Sequence, residues 1–302
     1  MRRPLTLILL LILLARGAAT ESAVRSPQSE ILRVAVLDMG SAETGARVTG
    51  HLVKLLAARG GARLALLDRG MSRAAARGVG YAGSLNMTLG EARSLGAAVG
   101  CDFFLTGDAQ TVRRSASARP VYFESYASVF LVSTRTGELV LWERPAAEAD
   151  TAAQAEAALL GALNADFAAR FTSALFAAAA REERERFEPA ASEVSSVIDL
   201  STDEATDAHK DLREPAPYRR LRPAYTDAAS RAEAEATVDA LVEIGADGEV
   251  AGVRVVRWAG FGLDEEVVST VRRMHFRPAQ REGEPVPVRV LLRYNFRKPP
   301  KS

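Results

Sequence analysis

Between Val286 and Phe296 every even-numbered residue is apolar: Val286, Val288, Val290, Leu292, Tyr294 and Phe296. Arg289, Arg293 and Asn295 stand between them. A period of two is the signature of a strand with one face in a core and the other in water. Such a strand needs neighbours and a cover, and both are written just upstream. Thr237–Ile244 and Val250–Trp258 are two β-rich runs joined by Gly245-Ala246-Asp247-Gly248. An Asp-Gly pair in that position marks a hairpin, because a tight turn needs φ > 0 and glycine adopts it without strain. In the first run Val238, Ala240, Val242 and Ile244 share a face, opposite Thr237, Asp239 and Glu243. After Gly260-Phe261-Gly262, the residues Leu263, Val267, Val271 and Met274 fall on one helical face, and Pro278 ends that helix. The pattern is β-β-α-β, with one helix covering one face of the sheet.

These residues resemble the TonB carboxy-terminal domain family. The matching features, in order, are Pro223-Ala224-Tyr225 ahead of a short helix, the Asp247-Gly248 hairpin, and Gly260-Phe261-Gly262 followed by Leu263-Asp264. Phe276-Arg277-Pro278-Ala279 and Gly283-Glu284-Pro285-Val286 complete the set. The family often has proline after the tyrosine, where this chain has Thr226, and glycine before the first strand, where it has Glu235-Ala236. The resemblance implies a module over residues 222–298 that binds peptides of outer-membrane transporters.

The last strand has no sequence-adjacent partner beyond it. At a sheet edge its unpaired N–H and C=O groups accept an extended peptide as an added strand. The partner-binding residues expected from this reading are Arg289, Leu291, Arg293 and Asn295, together with Tyr225; the basic bias favours an acidic or polar segment. The same arginines also read as gatekeepers that blunt an edge against aggregation.

The preceding half begins with Ile31–Asp38, an apolar run that suits a strand buried on both faces. A helix follows over Ser41–Arg59, then a strand over Arg63–Asp68 and an irregular glycine-rich stretch, Arg69–Ser84. Thr88-Leu89-Gly90-Glu91 has capping-box spacing and opens a helix to Val99. Asp102–Gly107 is a third strand, and Val121–Ser133 with Glu138–Glu143 forms a hairpin around Arg135-Thr136-Gly137. An alanine-rich helix runs from Thr151 to Phe187, with a break expected near its charged end. The charge run Arg181–Arg186 reads as a solvated helix end. The order gives an α/β sandwich with a mixed sheet over residues 31–187, so the whole chain is α+β and α/β in class. Val34-Ala35-Val36-Leu37-Asp38, Gly100-Cys101-Asp102-Phe103-Phe104-Leu105-Thr106-Gly107 and Leu131–Leu139 resemble the periplasmic domain of the curli-secretion (CsgG-like) family. Residues 188–221, polar and acid-leaning, are expected to be a flexible linker.

The chemistry the chain lacks narrows its role. His51, His209 and His275 are scattered without metal-ligand spacing, and Cys101 is the one cysteine, so no internal disulfide is possible. No nucleophile motif or phosphate loop is present. Neither catalysis nor a cofactor is expected. With 39 basic against 38 acidic residues, no global field attracts nucleic acid. Arg2-Arg3, the apolar run Leu5–Leu14 and the small residues Gly17, Ala18 and Ala19 form a signal peptide over residues 1–19. The run is about half the ~20 residues a spanning helix needs, so an uncleaved inner-membrane anchor is the weaker alternative. The expected protein is a periplasmic adaptor whose partners are envelope proteins, with self-association open. The alternatives are a membrane-anchored energy transducer and a structural assembly or secretion component.

Overall fold

The computed structural model describes residues 31–116, 119–187, 197–201 and 211–298. The expected signal peptide, His209 and much of the expected linker lie outside the described residues. The described residues form one compact unit. Its first part comprises β1 (Leu32–Met39), α1 (Glu43–Gly60), β2 (Leu64–Leu66), α2 (Arg69–Gly78), β3 (Met87–Thr88), α3 (Leu89–Val99) and β4 (Phe103–Ala116). It continues with β5 (Arg119–Ser133), β6 (Leu139–Glu143), β7 (Ala146–Ala149), α4 (Ala152–Ala162) and α5 (Ala165–Phe187). The sheet order is β2-β1-β4-β5-β6, with β7 also on β5. β1 runs parallel to β2 and β4, whereas β4, β5 and β6 are antiparallel, which makes the sheet mixed.

Strand alternation divides this sheet between two cores. Val34, Val36, Phe103, Leu105, Val129 and Leu131 turn to one face, packing with Leu52 of α1, Leu159 of α4 and Phe167 and Phe171 of α5. Ala35, Leu37, Phe104, Phe130 and Val132 turn to the other. That second face is covered by α3 residues such as Ala92 and Leu95, and by residues from the carboxy-terminal module, including Trp258, Phe261 and Leu263. One apolar core therefore runs from the first sheet into the second.

The remaining elements are β8 (Ile198–Asp199), β9 (Leu212–Arg213), β10 (Ala216–Pro217), α6 (Asp227–Ala232), β11 (Ala236–Ile244), β12 (Val250–Trp258) and α7 (Leu263–Val271). After them come β13 (Phe276–Arg277), β14 (Ala279–Arg281), β15 (Glu284–Val286) and β16 (Val288–Phe296). The sheet order is β3-β12-β11-β16-β8. Val238, Ala240, Val242 and Ile244 are almost wholly buried, as are Leu263, Val267 and Val271 of α7. The β-β-α-β pattern is thus present, joined at one edge by β3 from the first half.

Several local features differ from the sequence expectation. The stretch 69–84 contains a helix, because the Asp68 carboxylate accepts from Met71 N at 2.9 Å and caps α2. The alanine-rich helix breaks at Leu163-Asn164, not at its charged end: Asn164 Oδ1 accepts from Asp166 N and Phe167 N and starts α5 afresh. Within the charge run, Glu182 is buried and accepts from Ser133 Oγ at 2.6 Å and Arg135 Nε at 3.2 Å. The expected linker is not uniformly unstructured: within it β8, β9 and β10 pair with β16, β14 and β13 respectively. The backbone groups of those short segments find partners on the module, which outweighs their low apolar content. The expected strand Val286–Phe296 divides at Pro287, with Val286 ending β15 against β14 and Val288 opening β16.

Candidate strand-acceptor edge

β16 pairs along its whole length with β11, from Val288↔Ile244 to Phe296↔Ala236. On its other side β8 runs parallel and covers Val288 and Arg289 alone. Ile198 N donates to Pro287 O at 3.0 Å and Leu200 N donates to Arg289 O at 2.7 Å. Odd-numbered positions of β16 therefore turn their peptide groups away from β11. By the alternation of a strand, Leu291, Arg293 and Asn295 do the same. Among the described residues no strand pairs with them on that outer side. The structure thus brings Arg289, Leu291, Arg293 and Asn295 together on one edge. Their side chains share the sheet face remote from α7, while Val288 and Phe296 are buried on the other.

The charge of that face is largely answered within the sheet. Arg293 Nε donates to Asp239 Oδ1 at 2.7 Å and Nη2 to Asp239 Oδ2 at 3.0 Å. Arg257 of β12 approaches the same carboxylate at 3.4 Å. Arg289 reaches Glu243 at 2.6 Å and Asp199 of β8 at 3.4 Å. The Glu243 carboxylate, with Asp199 behind it, holds the Arg289 guanidinium more firmly protonated, and Asp239 does so for Arg293. Thr237 Oγ1 donates to Asn295 Oδ1 at 2.8 Å. The basic bias read from the sequence is therefore much reduced, since β11 supplies a carboxylate opposite each arginine. Leu291, 37 % exposed, is the apolar contact the edge offers.

Tyr225 does not join these residues. Its hydroxyl donates to Ala229 O at 3.1 Å and Ala234 O at 2.8 Å, fixing the turn from α6 into β11. The neighbouring Thr226 accepts from Ala229 N at 3.0 Å, capping α6, and donates to Phe261 O at 2.5 Å. A proline there would supply neither bond, so the threonine ties α6 to the Gly260-Phe261-Gly262 turn.

Sequence reasoning missed the elements that hold this module in place. The Asn86 side-chain amide donates to Thr237 O at 2.8 Å and Trp258 O at 2.7 Å, and its carbonyl accepts from Thr237 N at 3.0 Å. Trp258 Nε1 donates to Gly137 O at 3.0 Å, and its ring stacks on Phe130 with centroids 6.0 Å apart. Gly260 sits at φ 71°, where a Cβ would lie 2.4 Å from Phe130 Cε1. The only sequence signal for this docking was the buried-type patterning of both halves. A groove of about 830 Å³ lies between β6, β12 and α7. At its wall Asp264 accepts from Ala259 N at 2.9 Å and Gly260 N at 2.7 Å. Burial pushes this carboxyl up to about 7, against those two hydrogen bonds.

Comparison with known proteins bears on this module. Residues 222–297 match the family described as the Gram-negative bacterial TonB protein C-terminal. Among solved structures, the TonB carboxy-terminal domain of Pseudomonas aeruginosa is 23% identical, covering 34% of this chain and 95% of that one, with a TM-score of 0.26. The LpoB carboxy-terminal domain of Escherichia coli is 18% identical, covering 39% and 83%, with a TM-score of 0.27. The lipoprotein GNA1162 of Neisseria meningitidis is 13% identical, covering 47% and 99%, with a TM-score of 0.31. At such scores these likenesses carry no functional argument. The comparison with curated proteins finds no match. None of these findings supports the curli-secretion resemblance of residues 31–187. No described helix is long and apolar enough to cross a membrane.

Proposed function

We propose that this protein is a non-catalytic adaptor of the bacterial cell envelope, and that its TonB-like module captures an extended peptide of a protein partner by strand addition to β16. The observation that carries this reading is the unpaired edge at Leu291, Arg293 and Asn295, in a module that matches the TonB carboxy-terminal family. Main-chain bonds supply the affinity and Leu291 supplies an apolar contact. The periplasmic segment of an outer-membrane transporter is the partner class that the family match favours. Energy coupling would need a membrane anchor, and the candidate for one, Leu5–Leu14, lies outside the described residues.

The test is titration of synthetic peptides copying the periplasmic amino-terminal segments of the host's outer-membrane transporters. Binding is expected, and is expected to disappear in Leu291→Pro, which removes an edge N–H. Unchanged binding by the folded variant overturns strand addition at this edge.

One observation favours a second reading, assembly through self-association. Among the described residues β4 has no strand partner on its outer edge beyond Gly107, although the strand continues to Ala116. Light scattering of the mature protein tests this reading: a monomer at all concentrations excludes it.

A further inference from the structure

The peptide-accepting edge already holds a strand of the chain's own. β8 is short, but it satisfies the edge in three ways at once. Its backbone donates to Pro287 O and Arg289 O. Ile198, and Leu200 just after the strand, lie half-buried against the shared core. Between them Asp199 turns to the opposite face and meets Arg289 Nη1 at 3.4 Å. Asp199 is itself fixed by Ser201, whose N and Oγ donate to Oδ1 at 2.9 and 2.5 Å. Those hydrogen bonds, with Arg289 adding to them, hold the carboxyl below its ordinary range, so it is ionised at neutral pH.

We infer that β8 is an internal stand-in for the partner, and that the edge recognises an extended segment running parallel to β16 with an apolar–acidic–apolar pattern. This rests on the strand-addition reading of β16. The acidic residue of the partner would replace Asp199 opposite Arg289. The two flanking apolar residues would take the places of Ile198 and Leu200. Continuing past Arg289, the partner gains the peptide groups of Leu291, Arg293 and Asn295, which β8 leaves unpaired. A longer strand therefore outcompetes β8, while the tethered β8 keeps short or poorly matched peptides away through its high local concentration. Arg289 serves this better than Arg293. Arg293 spans both carboxylate oxygens of Asp239, whereas Arg289 places Nε and Nη2 on one oxygen of Glu243 and turns Nη1 to an acidic residue on the added strand.

The experiment uses the full chain and a labelled synthetic peptide copying residues 195–203 of this sequence. Leu200→Pro removes the donor to Arg289 O and loosens β8 without altering β16. Fluorescence anisotropy is expected to show the variant binding the peptide at least about tenfold more tightly than the native chain. Asp199→Arg, which repels Arg289 and leaves the backbone intact, is expected to act in the same direction. A peptide with lysine in place of its first aspartate is expected to fail against both variants. Equal binding by native chain and variants overturns the stand-in role of β8 and leaves strand addition standing. Absence of binding to every folded protein overturns both. Equal binding of the lysine peptide overturns the acidic preference.

Discussion

Asp239 on β11 receives two hydrogen bonds from Arg293 on β16, at 2.7 and 3.0 Å, with its side chain 5 % exposed beneath an arginine side chain that is 58 % exposed. The pair lies directly cross-strand, since Asp239 and Arg293 are register partners. A carboxylate covered in this way keeps an arginine beside the open edge of β16 without leaving its charge unanswered. Replacing Asp239 with alanine is expected to cost about 2 kcal/mol, the scale of charge-assisted hydrogen bonds to an arginine that can resolvate. The same change releases Arg293 and Arg257, so acidic peptides are expected to bind more tightly and with a steeper salt dependence. Urea titration and anisotropy at two salt concentrations read the two effects separately.

Asp264 predicts a pH dependence. Its carboxyl is raised from 3.8 to about 7 in the folded chain by burial. A group with a higher pKa when folded binds a proton that the unfolded chain has already lost. Stability is therefore fully present below about pH 4, declines as pH rises to about 7, and changes no further above it. Asp264→Asn removes the titration. The variant starts from lower stability, because Ala259 N and Gly260 N donate to different oxygens and the amide puts a donor NH2 in place of one of them. Its urea midpoint is nevertheless expected to be flat between pH 5 and 7.5, where the native midpoint falls. Parallel slopes would exclude Asp264 as the source.

Trp258 joins the two halves through its ring and its indole N–H. Trp258→Ala is expected to cost about 3–5 kcal/mol, as for other large buried aromatics. Because the core is shared, native unfolding is expected to be a single transition when followed by circular dichroism and by tryptophan fluorescence. Two separated transitions would mean that the halves fold independently.

Asn86→Ala is expected to destabilise by about 2–3 kcal/mol, since it strips a donor from two carbonyls and an acceptor from one N–H. Hydrogen exchange is expected to show the Thr237 amide losing protection first.

Gly260→Ala combines a left-handed φ with a Cβ placed 2.4 Å from a ring carbon of Phe130. Strain of about 1–3 kcal/mol is expected, plus repacking of the aromatic contact. A melting temperature unchanged from native would show that the turn can move away from Phe130.

The sequence by itself determined the elements whose signal is local and repeated. The alternation of β16, the Asp247-Gly248 hairpin, the stripe of α7 and the capping box at Thr88 are fixed by periodicity or by one turn's chemistry. In the box, Glu91 N donates to Thr88 Oγ1 at 3.1 Å, while Thr88 N donates to Glu91 Oε2 at 2.7 Å. The edge residues Arg289, Leu291, Arg293 and Asn295 followed from the same alternation. Tertiary structure decided everything that depends on residues distant in the chain. Ile198-Asp199 and Met87-Thr88 are too short to carry a period, and they are strands only because β16 and β12 offer them peptide groups. The neutralisation of Arg293 by Asp239 and of Arg289 by Glu243 required knowing the register of β11 on β16. The shared core needed most of all. Apolar patterning says that Phe130 and Trp258 are buried, but only the packed chain shows that they are buried against each other.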